Sequence, residues 1–235
     1  MTRPKTSFLQ DVRLVTLDLD DTLWPVRSVI DRAESRLHAW LEEHCPATAK
    51  QYPPASLRAL RLEVERMNPE LRGDFVSLRK AAIRLALRRA GDPESHAEAA
   101  FAAFWAARHE IECFEDVIPA LERLKSRFIV AAVTNGDSDI QRAGLGKYFD
   151  FTLSALQAGA SKPSREIFRQ ACARAGVKPE QALHGGDDID SDVRGALGVG
   201  MHAAWINRDR WSLRILSPPA ITVPDLTHLA DRLLG

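Results

Sequence analysis

The chain has 235 residues with 32 basic and 32 acidic side chains, a formal net charge of zero, so no global basic field exists to hold nucleic acid or an anionic membrane. Hydrophobic residues make up 45% and charged residues 27%, which suits a globular chain large enough for one full α/β domain carrying an insertion. No apolar run is long enough to span a bilayer, and Met1 to Asp11 lacks a signal-peptide core. The three cysteines, Cys45, Cys113 and Cys172, form no CxxC pair and no zinc pattern, and read as reduced thiols of a cytoplasmic protein.

Taken in order, the first element is a strand over Val12 to Asp18. It is short, apolar and β-branched at Val15 and Thr16, as suits a strand buried on both faces of a parallel sheet. It ends in Asp18-Leu19-Asp20-Asp21-Thr22. From about Ser28 to Glu112 the texture is helical. Apolar residues recur at helical spacing in four groups: Ile30, Ala33, Leu37 and Leu41; Leu57, Leu60, Val64 and Met67; Phe75, Leu78, Ala82 and Leu85; Ala100, Phe104, Ala107 and Ile111. Pro46, Pro53-Pro54, Asn68-Pro69, Gly73 and Gly91-Asp92-Pro93 separate them. Four helices and no strand are expected there.

The alternating pattern then resumes. A helix is expected over Val117 to Ser126, a strand over Phe128 to Val133, and a weaker strand over Phe151 to Ala155. A helix starting at Pro163 should end at Gly176. A short strand Ala182 to His184 runs into Gly185-Gly186-Asp187-Asp188, followed by a helix to Leu197 and a strand Met201 to Ile206. Asn207 to Pro219 reads as an irregular surface crossing. A strand at Ile221 to Val223 and a helix from Asp225 to Leu234 close the chain. The expected fold is α/β, a doubly wound, mostly parallel sheet with an inserted all-helical cap. Residues 1–24 and 114–235 are assigned to the core, and 25–113 to the cap.

Open parallel sheets bind ligands at the carboxyl ends of their strands. Three strand ends deliver polar groups there: Asp18, Asp20 and Thr22; Thr134 and Asn135; Asp187, Asp188 and, one turn on, Asp192. Lys162 lies on a loop between the last two. Two carboxylates held together repel unless a cation or shared proton intervenes, and Mg²⁺ is the hard cation that oxygen ligands suit. A hydroxyl, backbone N–H groups and a lysine make a phosphate cradle. A carboxylate beside a phosphoryl group can attack it, and a second carboxylate two residues on can serve as acid and base.

The ordered set Asp18-Leu19-Asp20-Asp21-Thr22, Val133-Thr134-Asn135-Gly136, Ser161-Lys162-Pro163 and Gly186-Asp187 through Asp192 resembles the four motifs of the haloacid dehalogenase-like hydrolase superfamily. The resemblance implies that Asp18 is the nucleophile and Asp20 the general acid/base. It implies that Asp18, the Asp20 carbonyl and Asp187 hold Mg²⁺, with Asp192 supporting, and that Thr134, Asn135 and Lys162 receive the phosphoryl group. The helical insert occupies the position of the family's C1-type cap. The dehalogenase branch lacks the second aspartate, so the presence of Asp20 favours phosphoryl transfer to water. A more specific resemblance covers nearly the whole chain. Leu17 to Leu23 followed by an aromatic, and His184 through Ile206, are similar to bacterial FMN phosphatases, which also dephosphorylate 5-amino-6-(5-phospho-D-ribitylamino)uracil. The expected partner is a small phosphorylated metabolite, and the expected state a monomer or small homo-oligomer. A sugar phosphomutase with the same aspartyl-phosphate chemistry, and a non-catalytic phosphometabolite-binding protein, are the alternatives.

Other polar residues have plainer readings. His184, ending an apolar strand, reads as a packed histidine; Asp21 as a turn residue; Thr22 as a tie within its loop; Asp190 as a solvated acid at a helix start. Arg79 is the member of the cap's basic face singled out to meet a substrate anion. Trp24 is expected either to stack on substrate or to pin a hinge.

Overall fold

The computed structural model describes residues 7–209 and 221–235. Most of the expected crossing at Asn207 to Pro219 therefore lies outside the described residues. Strand β1 spans Leu14–Leu17, all four side chains buried. Helices α1 (Val26–His44), α2 (Pro46–Gln51), α3 (Pro54–Met67), α4 (Phe75–Ala90) and α5 (Ala97–Arg108) follow. The alternating part contains α6 (Val117–Lys125), β2 (Ile129–Thr134), β3 (Phe151–Ser154), α7 (Ala155–Ala158), α8 (Arg165–Ala175) and β4 (Ala182–Gly186). A π-helical turn at Ile189–Arg194 leads into α9 (Gly195–Leu197), then β5 (His202–Ile206), β6 (Ile221–Val223) and α10 (Leu226–Leu234).

The six strands form one sheet in the order β3-β2-β1-β4-β5-β6, and every described pairing is parallel. The fold is thus the expected doubly wound α/β architecture. Strand order reverses at β1, between β2 and β4, which is where such sheets open a crevice for ligands. Leu17 lies opposite Ala132 on one side and Gly185 on the other, so Asp18 leaves the sheet between the ends of β2 and β4. Its own N–H still donates to the Gly185 carbonyl at 2.9 Å, which fixes where its side chain begins. Leu14, Val133, Ile167, Phe168 and Ala203 belong to the core on one face of the sheet. Each large apolar side chain so buried contributes about 1.5–3 kcal/mol.

The chain divides into two compact units: Met1–Pro25, Glu112–Gly136 and Ile140–Gly235 in one, Val26–Ile111 and Asp137–Asp139 in the other. The second unit is helical and has its own core, including Leu37, Leu41, Ile83, Leu87 and Phe104. Asp74 caps α4 by accepting from the Ser77 N–H at 2.9 Å, and Gly91, at φ 82°, ends it in the left-handed conformation. Five helices occupy the segment where periodicity predicts four. The extra one, α2, fits between Pro46 at its start and Pro53, too short to show a period. Thr48 anchors it, donating its N–H and hydroxyl to Asp92 Oδ2 at 2.8 and 2.7 Å.

Two local expectations are corrected. Helix α8 begins at Arg165 rather than Pro163, because the Ser164 side chain accepts from the Glu166 N–H and takes the N-cap position. The strand expected over Phe151 to Ala155 ends at Ser154, and α7 follows at once because Ser154 and Gln157 form a capping box. No helix among the described residues is long and apolar enough to cross a membrane. All three cysteines are free, and burial pushes the Cys113 and Cys172 thiols up to about 11, so they stay protonated.

Candidate active site

The first unit gathers Asp18, Lys162, Asp187 and Asp192 in one cluster at the carboxyl edge. Asp18, Lys162 and Asp192 are at most 8% exposed. Lys162 Nζ donates to Asp18 Oδ1 and, at 2.7 Å, to Asp192 Oδ1. The Thr22 hydroxyl lies 3.0 Å from Asp187 Oδ1 and 3.4 Å from Asp18 Oδ2, and donates to the nearer oxygen. Thr22 thus ties the loop after β1 to the loop after β4, as its plainer reading holds.

Asp192 has its oxygens engaged on three sides. Besides Lys162, it accepts from His184 Nε2 at 3.1 Å and from the Asp188 N–H at 3.1 Å. His184, fully buried, sits edge-on to Phe168, and its Nδ1 lies 2.8 Å from the Thr16 hydroxyl. Burial outweighs the Asp192 charge and lowers the His184 pKa, so the ring is neutral. The neutral ring that satisfies both contacts carries its proton on Nε2, donates to Asp192, and accepts from Thr16. The packed histidine of the sequence reading therefore also orients Asp192. Its pattern in the sequence, an apolar strand end, carries no sign of that second task. Gly186 makes room for the arrangement: a Cβ there would sit 2.2 Å from Asp192 Oδ2.

The electrostatics are dominated by burial. Burial raises the Asp18 carboxyl to about 7, with Lys162 opposing and Asp192 and Asp187 adding to the rise. Asp187 is raised to about 6, by burial first and then by the Asp192 charge. Burial acts on Asp192 in the same sense, but the Lys162 charge and the His184 hydrogen bond outweigh it and hold that carboxyl below the usual range. Three carboxylates thus share the cluster with a single ammonium group, which bonds to Asp18 and Asp192, and Asp18 and Asp187 resist ionisation.

That surplus of negative charge is what a divalent cation relieves. Ligand oxygens of Asp18, Asp187 and Asp192 lie within 4.8 Å of one another. Because Asp192 already accepts three hydrogen bonds, Asp18 and Asp187 are the carboxylates best placed to hold a hard cation, and the residues present fit one. The Asp20 carboxylate stands outside this group; its Oδ1 accepts from Trp24 Nε1 at 2.9 Å. Trp24 is fully buried, so it neither stacks on a ligand nor lies at a surface.

Asn135 takes a different place from the one expected. Its Oδ1 accepts from the Lys162 N–H at 2.7 Å and its Nδ2 donates to the Lys162 carbonyl at 3.0 Å. Its amide is therefore engaged in fixing the lysine backbone, beside the cis Lys162–Pro163 bond. Thr134 accepts from the Gly136 N–H at 2.9 Å, which leaves its own proton for a ligand oxygen. Asp188 caps the π-helical turn through the Ser191 N–H, and exposed Asp190 pairs with Arg194.

Two positioning residues escape a sequence reading. Trp205 Nε1 donates to the Asp187 carbonyl at 2.9 Å. Arg208 donates twice to the Thr22 carbonyl, at 2.9 and 2.8 Å, and both its terminal nitrogens reach Asp116. No spacing signal marks either residue, since each acts across more than 15 residues of chain.

In the helical unit, the Arg79 guanidinium lies 3.7 Å over the Phe104 ring and 3.8 Å from Glu34 Oε1. Burial, followed by the charge of Arg61, lowers its pKa to about 10. Arg84, Arg88 and Arg89 are exposed and paired with Glu98, Glu94 and Glu63.

Comparison with known proteins agrees with this geometry. A family model described as haloacid dehalogenase-like hydrolase matches residues 12–200. The 5-amino-6-(5-phospho-D-ribitylamino)uracil phosphatase YigB of Escherichia coli (strain K12) is 32% identical over 230 residues, covering 94% of this chain and 95% of that protein. The glyceraldehyde 3-phosphate phosphatase of Methanopyrus kandleri is 30% identical over 213 residues, covering 85% and 86%. A solved structure, the 2-haloacid dehalogenase from Pseudomonas syringae pv. Tomato DC3000, superposes with a TM-score of 0.88 at 33% identity, covering 95% of this chain and 98% of that one. With a family model matched over most of its length and relatives aligned nearly end to end, the chain belongs to the haloacid dehalogenase-like hydrolase family.

Proposed function

We propose that the protein is a Mg²⁺-dependent phosphomonoesterase acting on a small phosphorylated metabolite through an aspartyl-phosphate. One observation carries this reading: a buried carboxylate, Asp18, is hydrogen-bonded to a buried lysine, while a second carboxylate two residues on, Asp20, accepts from the Trp24 indole N–H. In this reading Asp18 and Asp187, with the Asp20 carbonyl, hold the cation, which when bound supplies positive charge against the phosphoryl oxygens. Lys162 and Thr134 receive those oxygens, and Asn135 holds the lysine in place. A carboxylate oxygen of Asp18 attacks phosphorus in line as the P–O bond to the leaving group breaks. Asp20 gives its proton to the departing oxygen, then takes one from the water that attacks the aspartyl-phosphate. Asp192, oriented by His184, keeps Lys162 charged and in position.

The relatives named as phosphatases support hydrolysis of a phosphate ester, and YigB makes a flavin-type phosphate the substrate to try first. The structural neighbour named as a dehalogenase favours a second reading, displacement of halide from a 2-haloacid. Such displacement needs no proton donor at the leaving group, so it gives no task to Asp20. The test is phosphate release with Mg²⁺ from a panel containing FMN, the ribitylaminouracil phosphate, sugar phosphates and nucleotides, beside halide release from 2-chloropropionate. Phosphate release that EDTA and Asp18→Asn abolish is the expected result. Halide release without phosphate release would replace the reading with the second one.

A further inference from the structure

We propose that the helical unit holds a carboxylate-binding site built on Arg61 and Arg79. The starting point is an arginine in an apolar position. Leu57, Leu60 and Val64 form the buried stripe of α3, and Arg61 falls within it at helical spacing. Val64 shares a core cluster with Leu78 and Ala82 of α4, so this stripe faces α4. Arg79 follows Leu78 directly, and its side chain is 13% exposed. Two guanidinium groups thus meet at the packing of α3 on α4. Their charges act on each other, since after burial the charge of Arg61 is the next cause lowering the Arg79 pKa.

The acids of this region are already engaged. Glu34 of α1, buried, accepts from Arg58 and lies 3.8 Å from Arg79. Asp137 lies 3.5 Å from Arg108, which also donates to the Ser138 hydroxyl at 2.6 Å. Arg61 is left over: its Nε is buried without a hydrogen bond, and no carboxylate among the described residues pairs with it. An arginine that merely covers apolar surface keeps its charged head in water, whereas here the head is buried at its base. The surplus of one positive charge suits a monoanion, and a phosphate dianion would reverse it. A planar guanidinium offers a carboxylate two parallel bonds. Arg79 is held ready for this by the Phe104 ring, 3.7 Å beneath its guanidinium. The carboxylate belongs either to the phosphorylated substrate, in which case the site rests on the phosphomonoesterase reading, or to a separate small acid.

A buried charge without a counter-ion is costly until its ligand arrives, and that gives a signature a structural arginine lacks. In the full-length protein without ligand, Arg61→Leu should raise the urea unfolding midpoint. Glycerate should raise the wild-type midpoint, and glycerol, its uncharged counterpart, should not. Arg61→Leu should abolish the glycerate shift. Arg61→Lys keeps the charge but not the fork, should reduce the shift, and supplies the test if the leucine variant does not fold. Arg84→Gln, at an exposed arginine paired with Glu98, should keep the shift and controls for charge on α4. The source of the carboxylate is read with Mg²⁺ from two esters: 3-phosphoglycerate carries a carboxylate where glycerol 3-phosphate carries a hydroxymethyl group. A substrate carboxylate predicts a kcat/KM about tenfold or more higher for 3-phosphoglycerate, falling to within about threefold in Arg61→Leu through KM. Equal kcat/KM on the two esters with the glycerate shift present assigns the site to a separate acid. A lowered midpoint in Arg61→Leu, or a glycerate shift retained in it, would overturn the site. So would the absence of both shift and ester preference in the wild type, and phosphate release would then leave the phosphomonoesterase reading standing. A glycerate shift without phosphate release from any ester of the wider panel would overturn that reading and leave the site.

Discussion

The Asp18→Asn variant should be inactive yet, in the metal-free state, more stable than the wild type at alkaline pH. Asp18 is 8% exposed, and its carboxyl is raised from 3.8 to about 7, chiefly by burial. An acid whose folded pKa lies above its unfolded value destabilises the fold when ionised. The penalty is fully present above the folded pKa and is relieved as pH falls toward the unfolded one. Taking 3.8 and about 7 as the two values, linkage gives roughly 4 kcal/mol at pH 8 and roughly 2 kcal/mol at pH 5.5. The neutral variant never incurs this penalty, but its amide pairs with Lys162 less strongly than the carboxylate does. The absolute gain at pH 8 is therefore below that ceiling, whereas the change between the two pH values, about 2 kcal/mol, is set by Asp18 itself. Asp187 and His184 titrate in both proteins and cancel in the difference to first order. The assay is urea unfolding of both proteins in EDTA at pH 8 and 5.5. A stability difference that does not move with pH, or a variant less stable than wild type at pH 8, would refute the argument that burial of this carboxylate strains the apo fold.

Three other substitutions follow from the geometry. Gly186→Ala places a Cβ 2.2 Å from Asp192 Oδ2 and should cost about 1–3 kcal/mol while lowering kcat, read by urea unfolding and phosphate release; unchanged stability would mean Asp192 moves freely. Asn135→Ala removes both hydrogen bonds to the Lys162 backbone and should raise KM for phosphate esters and destabilise by roughly 1–3 kcal/mol, whereas an unaltered KM would separate Asn135 from lysine placement. Arg208→Lys cannot reproduce the paired bonds to the Thr22 carbonyl and Asp116, and a loss of about 1.5–3 kcal/mol is expected in urea unfolding; a change within about 0.5 kcal/mol would show the clamp to be idle.

The centre of the sheet was legible because three strands end in an abrupt change to polar residues. Leu17 to Asp18, Val133 to Thr134 and Gly186 to Asp187 mark the carboxyl edge directly, and turn residues such as Gly91 and Gly176 mark helix ends. Asp18 and Asp187 stood out for the same reason, since they lie at strand ends, whereas Lys162 sits on a loop and Asp192 on the turn after β4. What stayed hidden depends on side chains meeting across the fold. His184 looks like one more core residue, and only the pairing of β1 with β4 brings Thr16 beside it. Trp24 could be read either as a stacking aromatic or as a hinge pin, because its burial depends on the turn at left-handed Asp21, which carries no pattern in the sequence. Asn135 stands beside Thr134 in sequence, which suggested a shared task. In an extended strand, however, neighbours point opposite ways, and Asn135 meets the Lys162 backbone while Thr134 faces the Gly136 N–H.

The position of β1 in the sheet has a consequence for how the protein is made. It precedes the other described strands in the chain, yet it pairs with Ile129–Thr134 on one side and Ala182–Gly186 on the other. Until most of the polypeptide has been synthesised, this apolar segment has no neighbour along either edge, and an unpaired strand is a template for association with other chains. Pairings so distant in sequence also slow folding, because the intervening chain must be closed before they are formed. Asp18, Lys162 and the carboxylates beyond β4 come together only when Asp192 has emerged. A chain cut short before β4 therefore carries Asp18 without Asp187 and Asp192, and the cluster waits on the pairing of β1 with β4.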